Sequence, residues 1–200
     1  MKPLFTLVLL TFFAVFFACK EDPKDENPEM ESTEVNAKAP TRKVVTESDE
    51  QTLNSILPKL MNTQDAKMFM GMLVSAEMTD MLRTRTEPFT VFVPSNEAFG
   101  KVPVSVKDNL LQQKNKEQLK TFLQHHMVEG KKSSSELFQE AKAKGSVKLT
   151  TLEGTTLIVQ LKGSDLQVKD ESGVVATLGK TDIEGENATV HILDAVLVEN

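Results

Sequence analysis

The apolar and polar positions divide the chain into three stretches of different rhythm. Leu4 to Ala18 is an uncharged apolar run behind Lys2. From residue 20 to about 50, large apolar residues are sparse and acids, Pro, Ser and Thr dominate. From there to the end the pattern is that of a packed domain, helical first and alternating afterwards. Leu53, Ile56, Leu57 and Leu60 are spaced for one face of a helix, with Pro58 interrupting it. Met68, Phe69, Met72 and Leu73 make a second apolar face, and Met78, Met81 and Leu82 a third. After a turn through Arg85-Thr86-Glu87-Pro88, the run Phe89-Thr90-Val91-Phe92-Val93 predicts a buried strand that Pro94 ends. Ser95 is placed to cap a following helix, with Ala98 and Phe99 packing behind it. Leu119, Phe122, Leu123 and Met127 predict a helix that runs to about Gly130. Leu137, Phe138 and Ala141 predict another, opened by Ser133-Ser134-Ser135 and broken by Gly145.

The second half alternates. Val147, Leu149 and Thr151 lead to a turn at Glu153-Gly154, and Leu157, Val159 and Leu161 to a turn at Gly163-Ser164-Asp165. Leu166 and Val168, then Val174 to Leu178, follow in the same manner. Val190 to Val198 reads as a last strand, apolar on both faces. Helices first and closely spaced hairpins afterwards, with early and late strands joining them, predict an α+β fold. No internal repeat is visible.

Charge changes the picture for only one stretch. Of the net charge of −6, residues 20 to 50 supply −5, from ten acids against five bases. Once Lys2 is counted, residues 51 to 200 carry only about −2. A chain with no basic stripe does not fit nucleic-acid binding. Hydrophobic residues are 40% of the chain, with no Trp or Tyr, so Phe, Leu, Val and Met must fill a core. There is one cysteine, Cys19, and therefore no intrachain disulfide.

A basic tip, an apolar run shorter than the ~20 residues of a membrane span, and the small residue Ala18 describe a secretory signal. Ala18-Cys19 resembles the lipobox of bacterial lipoproteins, in which the cysteine thiol is acylated and becomes the mature N-terminus. An ordinary signal peptide with an incidental Cys is the alternative. Lys20-Glu21-Asp22 is similar to the export signal of Bacteroidetes surface lipoproteins. These resemblances imply a signal peptide at 1–18 and lipidation at Cys19. They also imply an anchor in the outer membrane of the cell envelope, with the protein facing outward. Residues 19–47 cannot bury enough surface to repay ordering and are expected to be an acidic tether. Residues 48–200 are expected to form one domain.

Three segments carry a family resemblance. Thr90-Val91-Phe92-Val93-Pro94-Ser95-Asn96-Glu97-Ala98-Phe99 resembles the first homology box of fasciclin domains. Thr189-Val190-His191-Ile192-Leu193-Asp194-Ala195-Val196-Leu197 resembles the second. Between them, Leu119 to Lys131, with its His125-His126 pair and Gly130, is similar to the family's central helix. The resemblance covers roughly residues 48 to 199. It implies a wedge-shaped β-sandwich flanked by several helices, and a role in adhesion to a cell-surface or matrix protein or polysaccharide. One position departs: His125 stands where the family has Tyr, so an integrin-type contact is not carried over.

Most of the motif residues read as structural: Thr90, Phe92, Pro94, Ser95, Asn96, Phe99, His125, His126, His191 and Asp194. Phe89, Phe92, Phe99 and Val196 are expected in the core. His126 and His191 are expected as buried, hydrogen-bonded histidines, and Asp194 as an acceptor at a strand end.

Candidate chemistry is thin. No Gly-x-Ser-x-Gly elbow is present, and the only Cys is assigned to the anchor. Gly179-Lys180-Thr181 lacks the first glycine of a phosphate loop, having Val174 there, and leads into no helix start. Adjacent His125 and His126 on a helix point about 100° apart and rarely chelate together. Asp182 to Asn187 is an acidic turn without the spacing of a calcium loop. Asn187-Ala188-Thr189 is formally a glycosylation sequon. Met68, Met70, Met72, Met78 and Met81 fit core packing better than an adaptable surface. The expectation is a non-catalytic module with no metal, cofactor or nucleic-acid partner, tied to a membrane by its lipid. The alternative is a lipoprotein that binds a small apolar ligand or lipid in a pocket between helices and sheet.

Overall fold

The computed structural model describes residues 47–198. The expected signal peptide, Cys19 and most of the tether lie outside them. The chain opens with α1 (Glu47–Asn54) and α2 (Ile56–Met61), where one helix was expected. The break at Ser55 has a cause in Pro58. Inside a continuous helix its ring would meet the carbonyl of Asn54 and it could offer no amide. With the break, Pro58 falls in the first turn of α2, where neither is a problem. Ile56 and Leu60 then reach the core, and Leu53, now on a different helix, is left 63% exposed.

α3 (Lys67–Ser75) buries Phe69, Met72 and Leu73 and leaves Met68 exposed, and α4 (Thr79–Thr84) buries Leu82. β1 (Phe89–Pro94) is buried at every position. The Ser95 hydroxyl accepts from the Ala98 amide and caps α5 (Asn96–Gly100). α6 (Val104–Leu110) and α7 (Lys116–His125) follow. The helix predicted to reach Gly130 stops at His125, because the next residues pair with β1. β2 (Met127–Glu129) lies antiparallel to it, with Phe89 opposite Glu129 and Val91 opposite Met127. A buried strand edge has amides and carbonyls that must be paired, and this short strand answers one side of β1.

α8 (Ser134–Lys144) starts with a capping box, in which Ser133 and Glu136 each bond the other's backbone amide. Then come β3 (Ser146–Thr150), β4 (Thr156–Lys162), β5 (Asp165–Lys169), β6 (Val175–Thr177), β7 (Ile183–Glu184) and β8 (Ala188–Leu193). The last strand is shorter than its apolar pattern predicts. After Leu193 the chain leaves the sheet, and Val196 and Leu197 are buried by packing alone.

One four-stranded sheet has the order β2-β1-β8-β7 and the other β3-β4-β5-β6. β1 and β8 are parallel neighbours although about a hundred residues separate them, with Val91 opposite Val190 and Val93 opposite Ile192. Isolated bridges join the sheets at Val128–Thr151 and Leu178–Leu193. The alternation of β1 and β8 divides the interior in two. Val91, Val93, Val190 and Ile192 pack with Phe69, Leu73, Leu123 and other helical residues. Phe92 and Leu193 face the opposite way, with Leu137 of α8 and Val147, Leu157 and Val168 of the second sheet. The architecture is α+β, two packed sheets with helices, in one domain. One close approach holds α2 on this frame: a Cβ on Gly185 would stand 2.5 Å from the Ile56 nitrogen.

Candidate functional site

The motif residues near β1 act through backbone groups. The Thr90 hydroxyl donates to the Gly130 carbonyl (2.7 Å) and accepts from the Lys132 amide (2.9 Å). Asn96 accepts from the Met68 amide (2.9 Å) and donates to the Gln64 carbonyl (2.7 Å), so α5 is tied to the start of α3. Pro94 lies opposite Leu193 at the end of the parallel pair. Phe92 stands 5.6 Å from the His191 ring, between the sheets. Asp194 lies just past β8, exposed, and accepts from the Thr177 amide (2.6 Å).

The three histidines do not converge. His191 is fully buried; its Nε2–H donates to the Lys132 carbonyl (2.8 Å) and its Nδ1 accepts from the Asp182 amide (3.3 Å). His126 is on the helical side, against Phe122 and Phe69. Its Nδ1–H donates to the Phe122 carbonyl (2.8 Å), and its buried Nε2 has no hydrogen-bond partner among the described residues. The expectation of a fully hydrogen-bonded histidine is thus met at His191 and only half met at His126. Burial pushes His126 down to about 3 and also lowers His191, so both are neutral at pH 7.

His125 sits in a small polar network. Its Nδ1 is 2.9 Å from the Thr155 hydroxyl and 3.5 Å from a Glu153 carboxylate oxygen. The Thr151 and Thr155 hydroxyls are 2.8 Å apart. The combination of hydroxyl, imidazole and carboxylate is not a catalytic relay. A relay needs nucleophile and orienting acid on opposite ring nitrogens, and here both face Nδ1. Among the described residues no three His, Cys, Asp or Glu are grouped to hold a metal.

A concavity suited to a ligand lies elsewhere, beside α6. It is a cleft of about 560 Å³, within the range of ligand sites. Phe99, Val102, Met72 and Phe122 are among the residues that line it. Val106, Lys107 and Leu110 of α6 make one wall, Glu117 and Thr121 of α7 another, and Val196 and Val198 of the tail a third. α6 buries no residue fully. Val104 is 65% exposed, Val106 46%, Leu111 43% and Val198 40%. Lys107 is half-buried; its Nζ donates to the Phe99 carbonyl (3.0 Å), and it forms no salt bridge among the described residues. Glu117 is paired with Lys120 at 2.9 Å.

A family model, the fasciclin domain, matches residues 64–199. The chain belongs to the fasciclin domain family. It is 26% identical over 170 residues to protein sll1483 of Synechocystis sp., covering 85% of this chain and 84% of that one. It is 25% identical over 134 residues to human periostin, covering 67% of this chain and 14% of periostin. Its fold matches a solved fasciclin (FAS1) domain pair from the insect cell adhesion molecule fasciclin I with a TM-score of 0.65 at 20% identity. That match covers 73% of this chain and 51% of the pair.

Within this fasciclin domain, several residues that the sequence did not single out hold the frame. Asn187, noted only as a sequon, accepts from the Ile56 amide (3.0 Å) and donates to the carbonyls of Leu82 (2.9 Å) and Arg85 (3.2 Å). Its amide is therefore spent on α2 and α4. Asp182, read as part of an acidic turn, holds the amide of Ser134 (2.8 Å) and its hydroxyl at the start of α8, from a backbone with φ +57. Partial burial opposes its ionisation, but the bonds from Ser134 outweigh that and keep its carboxyl below the usual range. Asp170 is buried and accepts from the amides of Val174 (2.8 Å) and Val198 (2.9 Å), so it clamps the tail that lines the cleft. For Asp182 no signal existed along the chain, because it meets the helix-start Ser cluster, 48 residues away, only after folding. For Lys107 there was none.

Proposed function

We propose that this fasciclin-domain protein is a lipid-anchored, outward-facing module of the outer membrane. In this reading it binds a cell-surface or matrix protein or polysaccharide and performs no catalysis. The observation that carries the reading is the set of exposed apolar side chains on and next to α6, Val104, Val106 and Leu111, together with Val198 of the tail; Val106 and Val198 line the α6 cleft. Large apolar side chains exposed on one short helix beside an apolar cleft mark a place that a partner covers. The related fasciclin I is described as a cell adhesion molecule, which supports the same class of role. Cys19 and the acidic stretch after it supply the anchor and the reach.

The test uses the full chain with Cys19→Ser, coupled to beads and offered whole cells and their extracted surface polysaccharide. Saturable retention is expected, lost on heat unfolding and reduced at least tenfold by Val104→Glu. Retention indifferent to both treatments would overturn the reading. A second reading is favoured by the apolar lining of the cleft, Met72, Phe99, Phe122 and Val196 among it: a small amphiphile seated between α6, α7 and the tail.

A further inference from the structure

We infer that the α6 cleft takes a single-chain amphiphile with an anionic head, of the long-chain carboxylate class, and that Lys107 receives the head. The inference rests on the second reading above and gives it a chemistry. The lining of the cleft is mostly apolar, Phe99, Val102 and Phe122 among it. Its two charged wall residues differ in state. Glu117 already has Lys120 at 2.9 Å, whereas among the described residues the ammonium of Lys107 has only the neutral Phe99 carbonyl. One uncompensated cation beside an apolar hollow complements one anion on an apolar chain. A polysaccharide offers no such chain, and a zwitterionic head would bring a cation against Lys107.

α6 provides the way in. It has seven residues and none fully buried. The stretch with the fewest buried contacts is the one that opens most readily. Val106 of α6 and Val198 of the tail both line the cleft, and Asp170 holds the tail through the Val198 amide.

The decisive experiment is calorimetric titration of the full chain carrying Cys19→Ser with sodium octanoate, decanoate and dodecanoate, below their micellar concentrations. Dodecanol serves as the uncharged match. One saturable site is expected. Affinity should rise roughly fourfold per buried methylene until the cleft is filled. Lys107→Gln should weaken dodecanoate about tenfold and leave dodecanol unchanged. Val106→Glu, at a position exposed enough to spare the fold, should abolish binding of both, with circular dichroism confirming an unchanged structure. No binding by the folded chain, or equal loss of acid and alcohol in Lys107→Gln, overturns the inference. The bead assay is independent of it. Retention of cells without amphiphile binding sinks this inference and leaves the adhesion reading standing, and the reverse outcome separates them the other way.

Discussion

His126 shows what a single buried side chain commits the protein to. Its ring is packed against Phe69 and Phe122, one nitrogen is bonded and the other has no hydrogen-bond partner among the described residues, and burial holds it down at about 3. In the unfolded chain the same group titrates near 6.5. The unfolded state therefore takes up a proton as pH falls through about 6.5, and the folded state does not until about 3. The stability present above 6.5 is lost across that window, at up to about 1.4 kcal/mol per pH unit. His191, lowered by burial in the same direction, adds to the slope. Urea unfolding at pH 7, 6 and 5 should show the decline. His126→Phe, which keeps a ring in the site, should flatten it by about one proton. An identical slope in the variant would mean that His126 takes up no extra proton on unfolding.

At the scale of elements, Asn187 decides how the first helices sit on the sheet. One amide side chain serves the start of α2 and the end of α4, where backbone groups have no partners of their own helix. Asn187→Ala leaves three such groups unpaired at partly buried positions and should cost about 2–4 kcal/mol in urea unfolding. Asn187→Asp keeps an acceptor for Ile56 but turns an anion toward two carbonyls, so it should not rescue. Full rescue by Asp would show that the bonds to α4 contribute nothing. None of this was visible along the chain, where Asn187 stood between an acidic turn and a strand. The break between α1 and α2 was half visible: Pro58 signalled trouble, but its placement of the break at Ser55 needed the backbone. β2 was hidden for a different reason. Met127 continues the helical spacing of Leu119, Phe122 and Leu123, and only the demand of the β1 edge for a partner pulls it into a strand.

At the scale of the whole molecule, the proposed anchor at Cys19 is expected to be separable in function from the domain. Cys19→Ser should leave the thermal unfolding of the domain unchanged and move the protein from the membrane fraction to the soluble fraction on centrifugation. A variant that still pellets with membranes would remove the lipid from the account and leave the uncleaved apolar run as the tie.

Local pattern alone determined the α+β class, the buried β1 strand, the Ser95 cap and the family, because these rest on side-chain spacing and on short segments read in order. Tertiary structure alone decided the cleft. Met72, Phe99, Val106, Phe122 and Val198 look like ordinary core residues wherever they occur in sequence. Whether such residues fill space or enclose it depends on how α6 and the tail are held apart, which is set by Asp170 and by the parallel pairing of β1 with β8, whose partners lie about a hundred positions apart. Lys107 is one of many lysines until that packing leaves its charge beside an apolar hollow, with no carboxylate paired to it among the described residues.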